Sequence, residues 1–525
     1  MAMKKRFSFI VYTLVALSVV TAGCGGGGQG SPAGSAPAGN TASSQPAGAG
    51  SASGTSTPKA PLKLSIMATY YTPQPPTNQN EVWKKLQEIT NTQIDMTWVP
   101  RSAFDDKVSV SIASNDLPKV MLALNSSSPA LVNAIKSGLF WEIGPYLKDY
   151  KNLNALSKVQ FESTKIQGKT YSLYRSRPLA RFGVTIRKDW LENLNLKEPK
   201  TPEDMYEVMK AFTKNDPDKN GKDDTYGVLA FKDGQGYLIP HIASWFGAPN
   251  EWKEEGGKFT PAFMTDEYLQ ALKYIKRLYD EKLINQDFVV TEEQQMNTMF
   301  NQGKAGVNLG LFDDVGKIQL ELKKINPQAK IAIVDTIAGP KGQHIWSQPG
   351  YTGVYLFPKS SVKTEAELKD ILAFFDRMQE PDAVNLLTWG VEGKQYKVNG
   401  GKAEKTVPDD TFNNDMLGLG ELRIDDGSKE LVMTGEDPLT TQGKQLIKDN
   451  AKLVVSNPAL SLYFESPTWS QKSNELRKIA SDGTVKFIMG KIDENEWKKV
   501  QDDWRKAGGD KVLTEFAEAF AKSKK

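Results

Sequence analysis

The stretch "LKLSIMA" (residues 62–68) begins the pattern that sets the fold class, because its apolar and polar residues alternate as in a β-strand. A helical spacing of apolar residues follows in "EVWKKLQEIT" (81–90), and strand-like alternation returns in "QIDMTWV" (93–99). A further helical stretch, "FDDKVSVSIAS" (104–114), precedes the apolar strand "KVMLAL" (119–124). Strands and helices in this order predict an α/β domain with helices packed on a largely parallel sheet.

The same alternation continues downstream. The helical stretch "TPEDMYEVMKAF" (201–212) has Thr201 as its predicted N-cap and a proline at its first position. The helical stretch "TEAELKDILAFFDRM" opens with a capping-box pair, Thr364 and Glu367. From about residue 390 onward the pattern is mostly helical with irregular loops. A length of 525 residues is too great for one compact core, so we expect at least two domains.

Composition and charge exclude several classes of protein. The net charge is +3 with the basic residues dispersed, so the sequence has no basic stripe for nucleic acid. The two histidines, His241 and His344, lack the sequence partners of a zinc site or a catalytic triad, and we interpret both as loop or cleft-wall residues. The sequence has no G-x-x-x-x-G-K-[ST] phosphate loop and no dinucleotide fingerprint following a predicted strand. Any ATP chemistry connected with this protein is therefore expected in another polypeptide.

The first residues have the pattern of an export signal. A cationic cluster (4–6) precedes a mostly apolar run (9–20) that is too short for a stable membrane span. The run ends in "TAGC" (21–24), which resembles a bacterial lipobox and implies a signal peptide of residues 1–23 and lipid on Cys24. Cys24 is the only cysteine, so a disulfide within the chain is excluded. The alternative is an ordinary secretory cleavage site with an unmodified cysteine.

Residues 24–60 are predicted to form a lipidated, disordered tether. They consist almost entirely of Gly, Ser, Ala, Pro and Thr, which bury too little apolar surface to offset the loss of chain entropy. The folded body is therefore expected to begin near residue 61. With lipid on Cys24, the expected location is the extracellular face of the cell membrane.

Four separate segments together carry a resemblance to a known family. They are "SIASNDLPKV" (111–120), "GKTYSLYRSRP" (168–178), "TIRKDWLENLNLKEPKTPEDM" (185–205) and "FNQGKAGV" (300–307). Each is weakly specific alone. In this order, behind a lipobox and a low-complexity tether, they are similar to the family 1 extracellular solute-binding lipoproteins, which are the receptors of bacterial carbohydrate ABC importers. The resemblance extends from about residue 62 to the C-terminus.

The resemblance implies an α/β fold of two periplasmic-binding-protein-like lobes with mixed, largely parallel sheets. The lobes would be joined by a hinge and would close over a ligand bound in the cleft between them. The chain would cross between the lobes near residues 174–182 and again near 348–355. The expected N-terminal lobe comprises residues 61–180 with 350–395, and the expected C-terminal lobe comprises 181–349 with 396–525.

Aromatic residues near turns are the candidate ligand contacts, because flat rings suit the apolar faces of sugars and nearby polar groups fix the orientation. Asn125 and Arg175 are the polar candidates, since both can hydrogen-bond hydroxyls or a carboxylate. The predicted ligand-binding set is Tyr70, Tyr71, Asn125, Arg175, Trp245, Trp346, Tyr351 and Trp389.

The function implied by the resemblance is capture of a sugar or oligosaccharide and its delivery to membrane permease subunits. The expected protein is a monomer without catalytic activity. A receptor for peptides or another solute is the alternative within the binding class. An extracellular carbohydrate-active enzyme is the alternative from another class, because such an enzyme needs only two suitably spaced carboxylates among 63 acidic residues.

The stretch "NDPDKNGKDDTYG" (215–227) begins like the calcium loop of an EF-hand. Its predicted metal ligands are Asp216, Asp218, Asn220, the Lys222 carbonyl and Asp224, with Thr225 or a water completing the shell. The bidentate Glu of loop position 12 is replaced by glycine, so the opening of a calcium sensor is not expected. A resemblance to the calcium-carrying alginate-binding receptors of the same family implies a structural calcium ion, and the alternative is a turn without an ion.

Overall fold

The computed structural model describes residues 60–72, 74–77, 79–232 and 237–524. Ala60–Lys525 form one compact unit, to which the description below applies. The predicted signal peptide, Cys24 and all but the last residue of the predicted tether lie outside the described residues. Within the described ranges, no helix is both long and apolar enough to cross a membrane.

Short strands alternate with helices along the chain. The strands are β1 (Leu62–Tyr70), β2 (Thr92–Pro100), β3 (Val120–Ala123), β4 (Ser172–Ser176), β5 (Phe182–Arg187), β6 (Tyr226–Val228), β7 (Trp252–Glu255), β8 (Lys258–Pro261), β9 (Ala305–Leu311), β10 (Ile331–Val334), β11 (Ala338–Gly339), β12 (Gly342–Gln343), β13 (Ile345–Trp346), β14 (Tyr351–Leu356), β15 (Tyr396–Asn399), β16 (Lys402–Lys405) and β17 (Val454–Val455).

The helices are α1 (Glu81–Thr90), α2 (Arg101–Ser114), α3 (Pro129–Lys136), α4 (Lys151–Asn154), α5 (Lys158–Thr164), α6 (Lys188–Asn193), α7 (Pro202–Lys214), α8 (Leu238–Trp245), α9 (Asp266–Asp280), α10 (Glu293–Asn301), α11 (Val315–Ile325), α12 (Glu365–Arg377), α13 (Pro381–Trp389), α14 (Asp409–Asp415), α15 (Pro438–Asp449), α16 (Pro467–Ile488), α17 (Glu494–Trp504) and α18 (Asp510–Ser523). A π-helical turn, Arg505–Gly509, joins the last two helices.

The first sheet is five-stranded within the described chain, with the order β2-β1-β3-β14-β4. Strand β1 is parallel to β2 and β3, whereas β14 is antiparallel to β3 and β4. The carboxyl ends of β1, β3 and β4 therefore share one edge with the amino end of β14. The sequence predicted the parallel part of this sheet correctly.

The second sheet is four-stranded in the same part of the chain, with the order β10-β5-β9-β6. Strand β5 is antiparallel to β9 and β10, and β6 is parallel to β9. The amino end of β5 therefore shares an edge with the carboxyl ends of β6, β9 and β10. Both sheets are thus mixed, as predicted for the two-lobed α/β fold. The second sheet is not largely parallel as expected, because β6 and β9 are its parallel pair and its other pairs are antiparallel.

Capping side chains set where the main helices begin. The Thr201 hydroxyl accepts from the Asp204 N–H at 3.1 Å and the Asp204 carboxylate accepts from the Thr201 N–H at 3.0 Å, so α7 begins at the predicted N-cap. Thr364 likewise caps α12 by accepting from the Glu367 N–H at 3.1 Å. The predicted reciprocal half of that capping box differs, because Glu367 accepts from the Lys363 N–H instead.

Separate apolar cores surround the two sheets. One core packs helices on the first sheet, and a larger core packs helices on one face of the second sheet. Leu419, Leu422 and Ile424 belong to the core of the first sheet, whereas Ile447 packs beside the second. The lobe boundaries predicted from sequence remain a prediction. This packing leads us to propose a third crossing between residues 424 and 439, with residues 396–424 in the N-terminal lobe.

Candidate functional site

Two segments that connect the sheets run side by side. The first leaves β4 at Ser176 and enters β5 at Phe182, and the second runs from the end of β13 to Tyr351. The Arg177 N–H donates to the Gly350 carbonyl at 2.8 Å, and the Gln348 N–H donates to the Leu179 carbonyl at 3.1 Å. The facing edges of the two sheets therefore meet at a hydrogen-bonded pair of crossings.

Gly350 allows this close pairing. Its φ is +81°, which lies in the left-handed region that favours glycine, and an added Cβ would lie 2.7 Å from a methyl carbon of Leu179. The buried Gln160 side chain donates to the Gly350 carbonyl and, at 3.1 Å, to the Arg177 carbonyl. A single amide side chain from the first lobe thus ties both crossings together.

Several predicted ligand residues lie at the crossing edge of the first sheet. Tyr70 ends β1 and Tyr71 follows it with 63% of its surface exposed, and the exposed Asn125 follows β3. Tyr351 begins β14, and its hydroxyl lies 3.4 Å from that of Ser126. The carboxyl ends of parallel strands are the usual ligand-binding edge of open α/β sheets, so the topology brings these residues to one place.

Arg175 is at the same edge but is enclosed by the protein. Only 2% of its surface is exposed, and its guanidinium lies 2.9 Å from the Glu421 carboxylate and donates to the Gly420 carbonyl. It thereby attaches the turn Leu419–Leu422 to the first sheet. Arg175 was predicted as a ligand contact. In this structure its guanidinium instead forms an internal ion pair with Glu421, so its charge is already neutralised within the protein.

Arg177, two residues further along, was not among the predicted contacts. Its side chain is half-buried, and its Nη1 donates to the Ser176 carbonyl at 2.8 Å. Burial lowers the pKa of the Arg177 guanidinium, and the neighbouring Arg175 and Arg181 lower it further. The sequence offered no local signal for this difference, since Arg175 and Arg177 are two residues apart and strand alternation would place both on the same face.

A cavity of about 400 Å³ adjoins the crossings on the side of the second lobe. Its aromatic walls come from distant parts of the chain: Phe182, Trp252, Phe263, Tyr268, Trp346, Trp469 and Trp504. Its polar lining includes Asn250, Glu251, Ser347, Gln348 and Arg477. An apolar, aromatic cavity with a few polar groups is the usual character of a small-molecule site.

The polar groups of the cavity form a connected network. The Tyr463 hydroxyl donates to the Glu251 carboxylate at 2.6 Å, and Asn457 donates to the same oxygen at 3.2 Å. Burial, followed by the charge of Glu251, raises the pKa of Tyr463 well above its usual value. Arg477 lies over the Trp469 ring at 5.3 Å. The network therefore holds the aromatic wall in place while Arg477 and Glu251 face the cavity.

The three tryptophans predicted as ligand contacts lie in different surroundings. Trp346 lines the cavity, and its Nε1–H donates to the Ala248 carbonyl at 2.8 Å. Trp245 is 3% exposed and packs edge-on against Tyr274 in the core of the second lobe. Trp389 donates to the Leu431 carbonyl at 3.0 Å and packs near Phe412. Trp346 therefore joins the candidate site, whereas Trp245 and Trp389 are held in packing contacts away from the cavity walls.

His241 is a core residue, contrary to its interpretation as a loop or cleft-wall residue. Its ring nitrogens lie 2.6 Å from the Tyr237 carbonyl and 3.0 Å from the Gly183 carbonyl. Burial lowers the pKa of His241 to about 4. The imidazole is therefore neutral at neutral pH and links α8 to β5.

The predicted calcium loop follows α7 and is closed by its own side chains. The Asp216 carboxylate accepts from the Asn220 and Gly221 N–H groups, both at 3.0 Å. The Asn220 side-chain amide donates to Asp218 at 2.9 Å and to Asp224 at 3.1 Å. Burial, and then Asp216, raises the pKa of Asp218. The carboxylates thus converge on one amide and repel one another.

The donor set of this loop fits calcium chemically, because carboxylate, amide and carbonyl oxygens are the ligands that the ion prefers. Among the described residues, no group of three or more His, Cys, Asp or Glu side chains is arranged to hold a metal ion. Lys304 lies 2.6 Å from the Asp224 carboxylate. Thr225 is buried, and its hydroxyl donates to the Phe212 carbonyl at 2.8 Å, which ties the loop to α7. Lys222 contributes no side chain to this arrangement, and its N–H donates to Asn220.

Two lobes built on mixed sheets, joined by paired crossings beside a cavity, define the two-lobed class of solute-binding proteins. Residues 71–385 match the family of bacterial extracellular solute-binding proteins. The chain belongs to this family.

Relatives along nearly the whole chain support the same conclusion. The chain is 43% identical over 479 residues to the polygalacturonan/rhamnogalacturonan-binding protein YtcQ of Bacillus subtilis (strain 168), covering 90% of this chain and 94% of the relative. It is 36% identical over 469 residues to lipoprotein LipO of the same strain, covering 88% and 93%. The crystal structure of alginate-binding protein AlgQ2 without calcium ion has the same fold, with a TM-score of 0.63 at 19% identity, covering 88% of this chain and 98% of that one.

Proposed function

We propose that this protein is the extracellular, ligand-binding receptor of an ABC importer and that its ligand is a sugar or oligosaccharide. The observation that carries the proposal is the 43% identity, over 90% of the chain, to a relative named for binding polygalacturonan and rhamnogalacturonan. The exposed ring of Tyr71 and the aromatic cavity beside Trp346 support it, because sugar rings stack on aromatic faces. The proposed contacts also include Tyr70, Asn125 and Tyr351.

The two lobes would be coupled by the ligand. A molecule that touches the first-sheet edge at Tyr71 and the cavity at Trp346 contacts both sides of the paired crossings. Such a ligand favours the closed arrangement of the lobes, because only that arrangement makes both sets of contacts at once. The closed receptor would then be the form that membrane permease subunits recognise.

The proposed attachment is lipid on Cys24, with residues 24–60 as the tether and the receptor acting as a monomer. The similarity to a relative named as a lipoprotein supports this proposal. It predicts that the cell-associated protein partitions into detergent, and that Cys24→Ser releases it into the medium. Retention of the Cys24→Ser protein at the membrane would contradict lipid attachment.

The function is tested by calorimetric titration and thermal melting of the purified protein with neutral and acidic oligosaccharides of two to four units, and with short peptides as controls. We expect saccharide-specific binding with a rise in melting temperature and no change in the saccharide after prolonged incubation. Binding of peptides alone would overturn the carbohydrate assignment. Chromatographic detection of shortened saccharides would instead establish an enzyme.

We further propose that the loop after α7 holds a structural calcium ion through Asp216, Asp218, Asn220, the Lys222 carbonyl and Asp224, with Thr225 or water nearby. The hard oxygen donors and the raised pKa of Asp218 support the proposal, because a cation would relieve the repulsion among the carboxylates. The alginate-binding protein AlgQ2, which shares the fold, has been crystallised in a form without calcium ion, and this associates calcium with that protein.

Millimolar calcium is expected to raise the free energy of unfolding by about 1.4 kcal/mol at a tenfold excess over the Kd. Denaturant unfolding with calcium, with magnesium and with chelator measures this difference. Asp218→Asn should abolish the calcium effect, whereas Asp223→Asn should retain it, because Asp223 is exposed and occupies no ligand position of the loop. Equal stability in calcium and chelator would show that the loop is only a turn.

A further inference from the structure

The arginines along the first crossing differ in whether the protein itself neutralises them. Arg175 is paired with Glu421 at 2.9 Å, and Arg181 is paired with Asp313. Arg101, which begins α2 directly after β2, lies 3.1 Å from Asp105 on the same helix. Each of these guanidiniums has a carboxylate partner supplied by the chain.

Arg177 is the exception among the arginines of this edge. In the described ranges, no carboxylate oxygen lies within 4.0 Å of its guanidinium, and its side chain donates instead to the Ser176 carbonyl. It is nevertheless half-buried. Glu421 favours the charge of Arg177 from nearby, whereas Arg175 and Arg181 oppose it. A partly desolvated guanidinium without a directly paired carboxylate is unfavourable, and an incoming anion would relieve that cost.

The position of Arg177 is fixed by the crossings. Its N–H donates to the Gly350 carbonyl at 2.8 Å, and its carbonyl accepts from Gln160 at 3.1 Å. A guanidinium is planar and matches a carboxylate with two parallel hydrogen bonds. A backbone held on both sides reduces the entropy lost when such a pair forms.

An exposed aromatic ring lies at the same edge of the first sheet. Burial raises the pKa of the Tyr71 hydroxyl, Glu421 raises it further, and Arg175, Arg101 and Arg177 lower it. With 63% of its surface exposed, Tyr71 offers a ring face at the same edge of the first sheet as Arg177, with β3 and β14 between their strands. An oligosaccharide that bears a carboxylate presents both matching features.

The site continues from here towards the cavity. Arg181 donates to the Gln348 side chain at 3.3 Å, and Gln348 lines the cavity together with Phe182. The edge at Arg177 and the aromatic cavity therefore adjoin the same pair of crossings. A ligand of more than one sugar unit suits a site that extends from one to the other.

We propose that Arg177 binds a ligand carboxylate, so that this receptor takes acidic, uronate-bearing oligosaccharides in preference to neutral ones. The inference rests on the proposed carbohydrate-receptor function. It names a residue that distinguishes acidic from neutral ligands within that function.

The test compares three ligands of equal length: trigalacturonate, its fully methyl-esterified form and a neutral galactose trisaccharide. Calorimetric titration of the wild-type protein should show trigalacturonate binding about 30-fold or more tightly than the ester, as expected for a partly desolvated ion pair. Arg177→Gln should remove this preference while leaving the weaker affinity for the ester unchanged. Arg177→Lys should retain part of the preference, since it keeps the charge but not the paired geometry.

Arg277→Gln is the matched control, because Arg277 already pairs with Glu203 and stacks on Tyr206. It should keep the full preference for the acid. Inorganic sulfate at equal ionic strength should not displace trigalacturonate; displacement would indicate a general anion site and overturn the preference for a carboxylate. If Arg177→Gln fails to fold, as judged by melting, Arg177→Lys carries the test.

Equal weakening of acid and ester by the Arg177 variants would show a structural role and overturn the inference. Equal wild-type affinity for acid and ester would also overturn it, while the carbohydrate receptor would stand. No binding of any saccharide in any arm would defeat the proposed function itself. These results are therefore distinguishable.

Discussion

Trp245→Ala is expected to lower the free energy of unfolding by about 3–5 kcal/mol, because the substitution leaves a large cavity in the core of the second lobe. Trp245 is 3% exposed and packs edge-on against Tyr274 on α9. The carbonyl of Trp245 also lies against Gly339, where an added Cβ would be 1.6 Å away, so the surrounding backbone is closely packed. Equilibrium unfolding in urea measures the change.

Trp245→Phe provides the control, since it preserves most of the apolar volume and should cost clearly less than the alanine variant. Saccharide affinity of the folded Trp245→Phe protein should match that of the wild type. An alanine variant with unchanged stability but lost affinity would contradict the core position and return Trp245 to the ligand contacts predicted from sequence.

Arg175→Leu is expected to destabilise the protein by about 3–5 kcal/mol at neutral pH, because it leaves the Glu421 carboxylate buried without its partner. Burial already raises the pKa of Glu421, while Arg175 and Arg177 lower it. Without Arg175 the pKa should rise further. The turn Leu419–Leu422 would also lose the hydrogen bond from Arg175 to the Gly420 carbonyl.

The destabilisation caused by Arg175→Leu is expected to depend on pH. A carboxyl group whose pKa is higher in the folded than in the unfolded protein binds more protons when folded, so its contribution to stability is present at low pH and is lost as pH rises through the folded pKa. The stability difference between wild type and Arg175→Leu should therefore grow as pH rises through the folded wild-type pKa of Glu421, which lies above its ordinary value of 4.5.

A double-mutant cycle separates the pair from the rest of the core. Arg175→Leu with Glu421→Leu should be less destabilising than the sum of the two single variants, because the double variant leaves no buried charge. Additive effects, or a difference from wild type that does not change with pH, would show that the two side chains do not share a buried ion pair.

Local sequence patterns were sufficient for most of the secondary structure of the N-terminal half. The alternating and helical stretches correspond to β1, α1, β2, α2 and β3 in order, and Thr201 begins α7 as expected. The C-terminal part was harder, since the hairpin of β15 and β16 lies in a segment that was interpreted as mostly helical. Its strands of four residues are too short for alternation to distinguish them from loops.

The candidate site likewise contains residues that could be predicted from the sequence and residues that could not. Residues that follow strands, such as Tyr71 and Asn125, could be assigned to one edge because parallel strands bring their carboxyl ends together. The cavity could not be predicted, since Trp252 and Trp469 come from segments more than two hundred residues apart in the chain. The choice between Arg175 and Arg177 also depended on a distant partner, Glu421.

The sequence alone therefore established the α/β class, the order of the early elements and the family resemblance, because these follow from periodicity and motifs within short stretches. Folding of the whole chain was needed to show which tryptophans are core, which arginine has no directly paired carboxylate and where the cavity lies. These properties depend on burial and on contacts between residues far apart in the sequence, and no local pattern contains them.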